Sequence, residues 1–311
     1  MKGRVLVTGA AGFVGSNVCG ELSRRGRTVV GLDDFSVGHF KNLAGFQGDV
    51  VAADVGDAAY WGPRVGPVEA VFHQAAITDT TVMDQLKMMR VNVEAFRSLL
   101  DWAARNKVRS VVYASSAGVY GDSPVPMRES AAPKPLNIYA FSKATMESVA
   151  ADFLRRNPGL KMNVVGLRYF NVFGPGEGFK AKAASMIWQL YLQMKAGKRP
   201  RVFEFGDQYR DFIYVKDVVA ANVLAEKAKS GAYNVCTGRK TTFNQIIAAL
   251  NGVLGTDFEP EYFKNPYSFY QNETLGDPAL AKKALGFSAQ FTAEAAIRDY
   301  LQGPAVPVGA A

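Results

Sequence analysis

The amino-acid sequence predicts an α/β protein, with a Rossmann-like doubly wound parallel sheet and a smaller C-terminal α/β lobe. Three observations lead to this prediction. Strand-like apolar runs alternate with helix-like amphipathic runs through the first half of the chain, a glycine-rich loop joins the first strand to the first helix, and the alternation stops near Pro175. Repeated strand–helix units form a parallel sheet that is covered by helices on both faces.

The predicted elements of the first half follow one another in regular order. The strands are short apolar runs, and the helices show apolar residues at helical spacing. The first helix ends at Gly26, a residue type typical of helix C-termini. The strands are predicted over residues 4–9, 27–34, 50–54, 70–76, 109–116 and 161–175, and the helices over 13–26, 85–107 and 139–157.

The pattern changes after Pro175, where glycine, lysine and aromatic residues cluster between short helices. A helix is predicted over 181–197, and a strand followed by a helix over 209–229. We therefore divide the chain into a first domain over 1–167, to which some later segments return, and a smaller lobe over 168–311.

Composition and charge exclude several classes of protein. The formal net charge is +8, but the basic residues are scattered and do not alternate with aromatics in runs, so an anionic small molecule is expected rather than nucleic acid. The sequence contains no stretch of about 18 apolar residues, so no membrane span is predicted. Cys19 and Cys236 are too few for a disulfide framework and lack metal-ligand spacing, so we expect buried reduced thiols, no metal and a cytoplasmic protein.

The loop "TGAAGFVG" supplies Gly9, Gly12 and Gly15 between the first strand and the first helix. The first glycine permits a tight turn, the second lets the backbone approach a pyrophosphate, and the third permits close packing of helix on strand. The start of the helix also offers unpaired N–H groups to an anion. A glycine loop alone can be a plain turn, but this position in the chain predicts a dinucleotide site.

Acidic residues at two strand ends are predicted to bind the adenosine. Asp33, followed by Asp34, lies about 20 residues beyond the loop, where a carboxylate accepts the ribose hydroxyls and repels a 2′-phosphate. This favours NAD, while basic side chains a few positions later leave NADP open. Asp54, with Val55, is predicted to meet the adenine. A turn or helix-cap aspartate is the alternative interpretation at these strand ends.

Three residues are predicted to transfer a proton. Tyr139 and Lys143 are four apart at the start of a predicted helix and therefore share one face. A nearby ammonium favours the phenolate and lowers the tyrosine pKa, which makes the phenol a usable base. Ser116, at a strand end, can hydrogen-bond the same substrate oxygen. The Y-x-x-x-K spacing is common by chance, but its place after a strand-end serine pair predicts a catalytic set.

The chain resembles the extended short-chain dehydrogenase/reductases of the nucleotide-sugar epimerase and dehydratase group. The matching segments are "TGAAGFVG", the strand ending at Asp33, "HQAA", "VNVEAF", "SSAGVYG", "YAFSK", "RYFNVFGP" and "YRDFIYVKDVV". The resemblance implies a dinucleotide-binding first domain, a lobe that is mainly substrate-binding, and a resident nicotinamide. It also implies that a sugar alcohol is oxidised to a ketone, repositioned and reduced again. It assigns these residues to the cofactor: Gly9, Gly12, Phe13, Val14, Gly15, Asp33, Asp34, Asp54, Val55, Ala75, Asn92, Tyr139 and Lys143.

The smaller lobe is similar to the ADP-glycero-manno-heptose 6-epimerases, through residues 168–219 and through "ITDTT", "KPLNIYAFSK" and "YQNETLGD". In that family the lysine that matches Lys180 is a second acid/base. A phosphate-binding or solvent-exposed lysine is the alternative. Arg210 can instead be an ion-pair partner of a nearby aspartate. The residues implied to bind a nucleotide-diphosphate sugar are Thr80, Ser116, Asn171, Lys180, Arg210 and Tyr270.

Other functions stay open at this point. The 4,6-dehydratases carry an acidic pair where this chain has Ala117 and Gly118, which disfavours dehydration. Residues 33–54 resemble the UDP-glucose and UDP-N-acetylglucosamine 4-epimerases, which would use the same catalytic set without Lys180. A non-catalytic dinucleotide sensor or scaffold is an alternative of another class. By fold analogy alone, we expect a homodimer or a higher homo-oligomer through the two long helices.

Overall fold

The computed structural model describes residues 3–80, 82–264 and 273–303. Within them, seven parallel strands form one central sheet in the order β11-β6-β5-β4-β1-β2-β3. From β1 the chain adds β2 and β3 on one side, and from β4 it adds β5 and β6 on the other side. The connections that follow β1 and β4 therefore run in opposite directions and leave a cleft at the carboxyl ends of these two strands. The strands are β1 (Arg4–Thr8), β2 (Thr28–Asp33), β3 (Asp49–Ala52), β4 (Ala70–His73), β5 (Ser110–Ser116), β6 (Asn163–Tyr169) and β11 (Gly231–Val235).

Helices cover both faces of this sheet because successive strand residues point in opposite directions. Val5 and Val7 of β1 pack in one apolar cluster with Leu22, whereas Leu6 packs in the other with Leu99. The helices are α1 (Phe13–Arg24), α2 (Ala58–Val65), α3 (Gln85–Met89), α4 (Ala95–Arg105), α5 (Ile138–Arg156), α6 (Met186–Lys195), α7 (Val215–Ala225), α8 (Phe243–Leu254), α9 (Ala279–Leu285) and α10 (Ala293–Gln302).

The later part of the chain adds short paired strands beside the cleft. Three two-stranded sheets occur in the described residues, with α6, α8 and α10 packed near them. One of their neighbours in sequence, β11, leaves this lobe and pairs with β6 in the central sheet. The strands of the lobe are β7 (Asn171–Phe173), β8 (Arg201–Phe203), β9 (Tyr209–Arg210), β10 (Phe212–Tyr214), β12 (Thr241–Thr242) and β13 (Glu261–Phe263).

The predicted α/β architecture is confirmed, and two predicted helices differ in detail. The predicted helix over 85–107 contains a π-helical turn, Arg90–Glu94, between α3 and α4. The predicted helix over 181–197 begins only at Met186, since Ser185 caps it by accepting a hydrogen bond from the Trp188 amide at 3.2 Å. Before that cap the chain forms a 3-10 segment, Glu177–Ala183.

Two general expectations can be compared with the fold. Cys19 and Cys236 are free thiols and both are buried, as predicted. Among residues 3–80, 82–264 and 273–303, no helix has the length and apolar character that a membrane crossing requires.

Candidate active site

A cleft of about 290 Å³ runs along the carboxyl edge of the sheet, where β1 and β4 diverge. Residues from both halves of the chain line it, so the site is built by the sheet and by the segment that follows β7. Tyr139, Lys143, Ser116 and Lys180 are among the lining residues. The other predicted site residues that line the cleft are Gly9, Gly12, Phe13, Val14, Gly15, Asp33, Asp34, Asp54, Val55 and Ala75.

The glycine loop at one end of the cleft has the close packing that a dinucleotide cradle requires. Gly9 has a φ of +66°, and a Cβ there would lie 2.6 Å from the Ala75 amide nitrogen. A Cβ on Gly15 would lie 1.9 Å from the Gly9 carbonyl oxygen. Gly12 is the N-cap of α1, so it has no side chain to occupy the first amides of the helix. The loop therefore fits a pyrophosphate bound at the start of α1.

The carboxylate of Asp33 is held by the backbone at the end of β2. Its Oδ2 accepts a hydrogen bond from the Ala11 amide at 2.9 Å, and its Oδ1 accepts one from Phe35 at 2.8 Å. Burial raises the pKa of Asp33, and these two amides oppose the shift. A carboxylate has about four acceptor positions, so both oxygens can still accept ribose hydroxyls. Asp54 lines the cleft too, while its Oδ1 accepts the Gly56 amide at 2.7 Å in a turn.

The structure brings Ser116, Tyr139 and Lys143 together at the end of β5. Asn137 begins α5 by accepting a hydrogen bond from the Ala140 amide at 2.8 Å, which turns Tyr139 and Lys143 toward this strand. The side chains of Ser116 and Tyr139 both line the cleft, and the Ser116 hydroxyl acts on the Tyr139 phenol by lowering its pKa. The Lys143 ammonium lies 5.9 Å from the centre of the Tyr139 ring.

The electrostatics of this set differ from the prediction. Burial raises the pKa of Tyr139, and the hydrogen bond from Ser116 opposes that shift. Burial also lowers the pKa of Lys143 to about 7. Lys143 donates to the Ala114 carbonyl at 2.8 Å, and Tyr139 is desolvated. The predicted lowering of the tyrosine pKa by Lys143 is therefore not seen: the pKa of Tyr139 is raised, and desolvation is the main cause.

Lys180 reaches the cleft from the 3-10 segment, with its ammonium 5.7 Å from the centre of the Phe13 ring. Burial lowers the pKa of Lys180, and the buried carboxylate of Glu177 opposes the shift. Glu177 is itself held by the amides of Gly174 at 2.9 Å and Ser185 at 2.6 Å. Lys180 is therefore desolvated, and it lies beside the glycine loop on a segment whose backbone is held by Glu177.

Residues 174–180, which we call the strap, are tied to the first domain across the cleft. Asn17 donates to the Pro175 carbonyl at 2.8 Å, and Asn42 donates to the Gly176 carbonyl at 3.2 Å. The ring of His39 stacks on Phe179 with centroids 4.1 Å apart. These contacts hold the strap over the glycine loop.

A second cavity of about 1190 Å³ lies in the smaller lobe, and Val172 lines both it and the cleft. Asn171 and Arg210 line this second cavity. The carboxylate of Asp211 accepts hydrogen bonds from the amides of Thr237, Gly238 and Gly276. The basic residues of the lining are Lys182, Lys198, Arg199, Arg201 and Arg210, and such a wall suits a diphosphate.

Two of the predicted site residues that the structure describes, Asn92 and Thr80, do not line either cavity. Asn92 is buried in the π-helical turn, accepts the Ile77 amide at 2.8 Å and donates to the Ser142 hydroxyl at 2.9 Å. It thus joins the segment after β4, which lines the cleft, to α5. Thr80 is exposed beyond that segment. Tyr270 lies outside the described residues.

Sequence reasoning overlooked a hydrogen-bonded trio in the cleft. The Tyr169 hydroxyl donates to Gln74 at 3.0 Å and accepts from the Asn222 amide at 2.8 Å, and Gln74 donates to Asn222 at 3.0 Å. Gln74 and Tyr169 line the cleft. The motifs "HQAA" and "RYFNVFGP" contain these two residues, but nothing in the local sequence indicates that Asn222 of α7 joins them.

Comparison with known proteins defines the class. A family model described as the NAD dependent epimerase/dehydratase family matches residues 5–236. The chain therefore belongs to this family, which uses NAD.

Individual members of the family show which enzymes this chain is similar to. The chain is 37% identical to an ADP-L-glycero-D-manno-heptose-6-epimerase of Alkalilimnicola ehrlichii, with 97% of each chain covered. It is 41% identical to the crystal structure of the same enzyme from Helicobacter pylori, with a TM-score of 0.89 and coverage of 97% and 96%. It is 28% identical to the UDP-glucose 4-epimerase of Thermotoga maritima, with a TM-score of 0.88 and coverage of 96% and 97%.

Proposed function

We propose that this protein is an NAD-dependent nucleotide-sugar epimerase that inverts C6 of ADP-glycero-manno-heptose. The observation that carries the proposal is that Lys180 shares one cleft with Ser116, Tyr139 and Lys143. Inversion by oxidation and reduction presents the sugar to the site in two orientations, and each orientation needs its own acid/base. Identity of 37% and 41% to two heptose epimerases over nearly their whole length supports this substrate.

Each residue of the cleft has a distinct role in this proposal. The bound nicotinamide supplies a reversible acceptor for the hydride. Tyr139 takes the proton of the substrate hydroxyl and later returns it, and Ser116 holds the same oxygen by a hydrogen bond. Lys143 donates to the nicotinamide ribose and favours the phenolate when it is protonated. Lys180, also desolvated, serves the second orientation.

The second cavity is proposed to bind the nucleotide diphosphate. Its basic wall, including Arg210, matches the charge of a pyrophosphate, and the planar guanidinium can bind two phosphate oxygens at once. Asn171 is assigned to the same group. Thr80 and Tyr270 remain assigned to the substrate on resemblance alone.

The position of Asp33 supports NAD over NADP, because a second negative charge beside this buried carboxylate is unfavourable. The two buried free thiols suit a reducing cytoplasm. We also propose a homodimer, on fold analogy with contacts through α4 and α5.

A UDP-hexose 4-epimerase is the second candidate. The segment 33–54 resembles those enzymes, and the likeness to the Thermotoga maritima UDP-glucose 4-epimerase extends over 96% of the chain. This activity would need the same catalytic set but no second acid/base. Lys180 therefore discriminates the two functions.

The test is an NMR assay of products from ADP-glycero-manno-heptose, UDP-glucose and UDP-N-acetylglucosamine. We expect inversion at C6 of the heptose, and a Lys180→Ala variant is expected to lose about 100-fold or more in rate. Lys227→Ala, which removes an exposed lysine that lines neither cavity, tests whether loss of charge alone is responsible. Inversion at C4 of a UDP-hexose would establish the second candidate. No turnover of any substrate, with cofactor bound, would favour the non-catalytic sensor.

A further inference from the structure

Three residues of α5, each four positions apart, face the end of β5. Tyr139 lines the cleft beside Ser116, and Lys143 donates to the Ala114 carbonyl at 2.8 Å. The third residue on this face is Glu147, one turn beyond Lys143. Tyr139 and Lys143 carry the proposed chemistry. Glu147 lies on the same helix face, so a contact that Glu147 makes with the strands also fixes the position of Tyr139 and Lys143.

Glu147 is bound on two sides. Its Oε1 accepts hydrogen bonds from the Ser115 hydroxyl at 2.5 Å and from Arg168 Nε at 2.9 Å. Its Oε2 accepts from Arg168 Nη2 at 2.6 Å. Ser115 and Arg168 are paired in register on β5 and β6, and Arg168 also donates to the Tyr120 hydroxyl at 2.8 Å. The carboxylate is thus clamped to two adjacent strands at once.

Burial makes this clamp costly to form and rigid once formed. The side chains of Arg168 and Glu147 are only 5% and 13% exposed. A buried ion pair adds little net stability over apolar residues of the same size, whereas its paired hydrogen bonds permit only one geometry. The clamp therefore does more to fix the position of α5 than to stabilise the fold.

The geometry points to Glu147 as a positioning residue: with Ser115 and Arg168 it fixes α5 along β5 and β6 and so places Tyr139 and Lys143 for proton transfer. The inference rests on the proposed epimerase chemistry. Glu147 does not line the cleft, while Ser115 does, so Glu147 acts through its neighbours. A displacement of about 1 Å at reacting groups can cost about 100-fold in rate.

A second ion pair in the chain provides a matched control. Arg27 donates to Glu226 through hydrogen bonds of 3.0 Å, and the two side chains are 14% and 16% exposed. Arg27 precedes β2 and Glu226 follows α7, so the pair lies at the opposite edge of the sheet from the cleft. Removing Glu226 breaks a comparably buried pair without touching α5.

The experiment compares Glu147→Ala with Glu226→Ala in the cofactor-loaded enzyme. We expect similar losses of Tm, but a kcat that falls about 10- to 100-fold only in Glu147→Ala, with KM changed less than about threefold. If Glu147→Ala fails to fold, Glu147→Gln replaces it, since its one amide oxygen can still accept from Ser115 while the second acceptor for Arg168 is lost. An unchanged kcat in the folded variant, or an equal fall in Glu226→Ala, would overturn the inference.

A second readout does not depend on the substrate. NMR of labelled tyrosine, assigned with Tyr139→Phe, follows the titration of Tyr139. Because the Ser116 hydrogen bond opposes the rise of this pKa, displacing α5 should move the titration to higher pH in Glu147→Ala and not in Glu226→Ala. An identical titration in both variants would contradict the positioning role. If the wild type turned over no sugar nucleotide, the proposed function would fail while this measurement still decided the role of Glu147.

Discussion

The ammonium group of Lys143 is almost completely buried, and only 1% of the residue is exposed. The ammonium donates a hydrogen bond to the Ala114 carbonyl. Burial lowers the pKa of Lys143 to about 7, so near neutrality this lysine is divided between its charged and neutral forms. A group in that state can respond to what binds beside it, because a nearby negative charge favours protonation.

The low pKa of Lys143 predicts how stability depends on pH. Between about pH 7 and the ordinary lysine pKa near 10, the unfolded chain binds a proton that the native chain does not, so stability rises with pH in this range. Below about pH 7, Lys143 is protonated in both the native and the unfolded state, and its buried charge destabilises the native state. Lys143→Met is therefore expected to raise the Tm of cofactor-free protein most near pH 7, and less as pH rises.

Thermal unfolding of the wild type and Lys143→Met across this range measures the effect. Lys216→Met, whose ammonium is half exposed and pairs with Asp299, serves as the control. A difference in Tm between wild type and Lys143→Met that stays constant with pH would contradict the depressed pKa.

At the residue scale, the sequence predicted which side chains meet but not their electrostatics. Ser116, Tyr139 and Lys143 were found because helical spacing and strand ends are local features. The pKa direction of Tyr139 was missed because it depends on burial by distant segments. Glu147 and Arg168 were missed for the same reason, since their pairing depends on the register of β5 and β6.

Among the elements, α1 contains two glycines in contrasting surroundings. A Cβ on Gly15 would lie 1.9 Å from the Gly9 carbonyl oxygen, whereas a Cβ on Gly20 would have no atom within 4 Å. Gly15→Ala is expected to displace the cofactor loop, which lowers Tm and abolishes stable NAD binding. Gly20→Ala is expected to stabilise the protein by about 0.5–1 kcal/mol, because alanine favours a helix interior.

Calorimetric titration of NAD and thermal unfolding of both variants check this prediction. Equal NAD affinity in Gly15→Ala and Gly20→Ala would show that the loop tolerates a side chain, against the close packing described here.

The elements of the first half other than α2 (Ala58–Val65) were predictable because each is a continuous apolar pattern. The smaller lobe was not, since its paired strands are two or three residues long and carry no periodicity of their own. The π-helical turn was also missed, because its extra residue leaves the apolar spacing nearly unchanged and is held by the contacts of Asn92. Residues 181–185 were predicted as the start of a helix, whereas Ser185 caps α6 and the helix begins at Met186.

On the scale of the whole molecule, the strap joins the two halves of the chain over the cofactor loop. Asn17 and Asn42 each donate one hydrogen bond to it. An Asn17→Ala/Asn42→Ala variant is expected to release NAD about 10-fold faster or more, since both hydrogen bonds to the strap, of about 1 kcal/mol each, are lost along with those to the Phe13 and Ala11 carbonyls. The rate can be measured by trapping released cofactor with an excess of apo-dehydrogenase. Asn157→Ala, which loses a bond within α5 only, should release NAD at the wild-type rate.

A release rate that is the same in all three proteins would show that the strap does not retain the cofactor. A faster release from the Asn157→Ala control as well would attribute the effect to general loosening.

In the central sheet, β6 pairs with β11, which lies more than 60 residues later in the chain and is therefore synthesised later. At about 5–20 residues per second, the ribosome needs roughly 3–12 s to make the segment between β6 and β11. Throughout that interval β6 is an open edge with unpaired backbone groups, next to the apolar core residues Val165 and Leu167. During this interval the exposed edge of β6 can pair with other chains. Faster translation, or a chaperone that covers this edge, is therefore expected to reduce aggregation of the nascent chain.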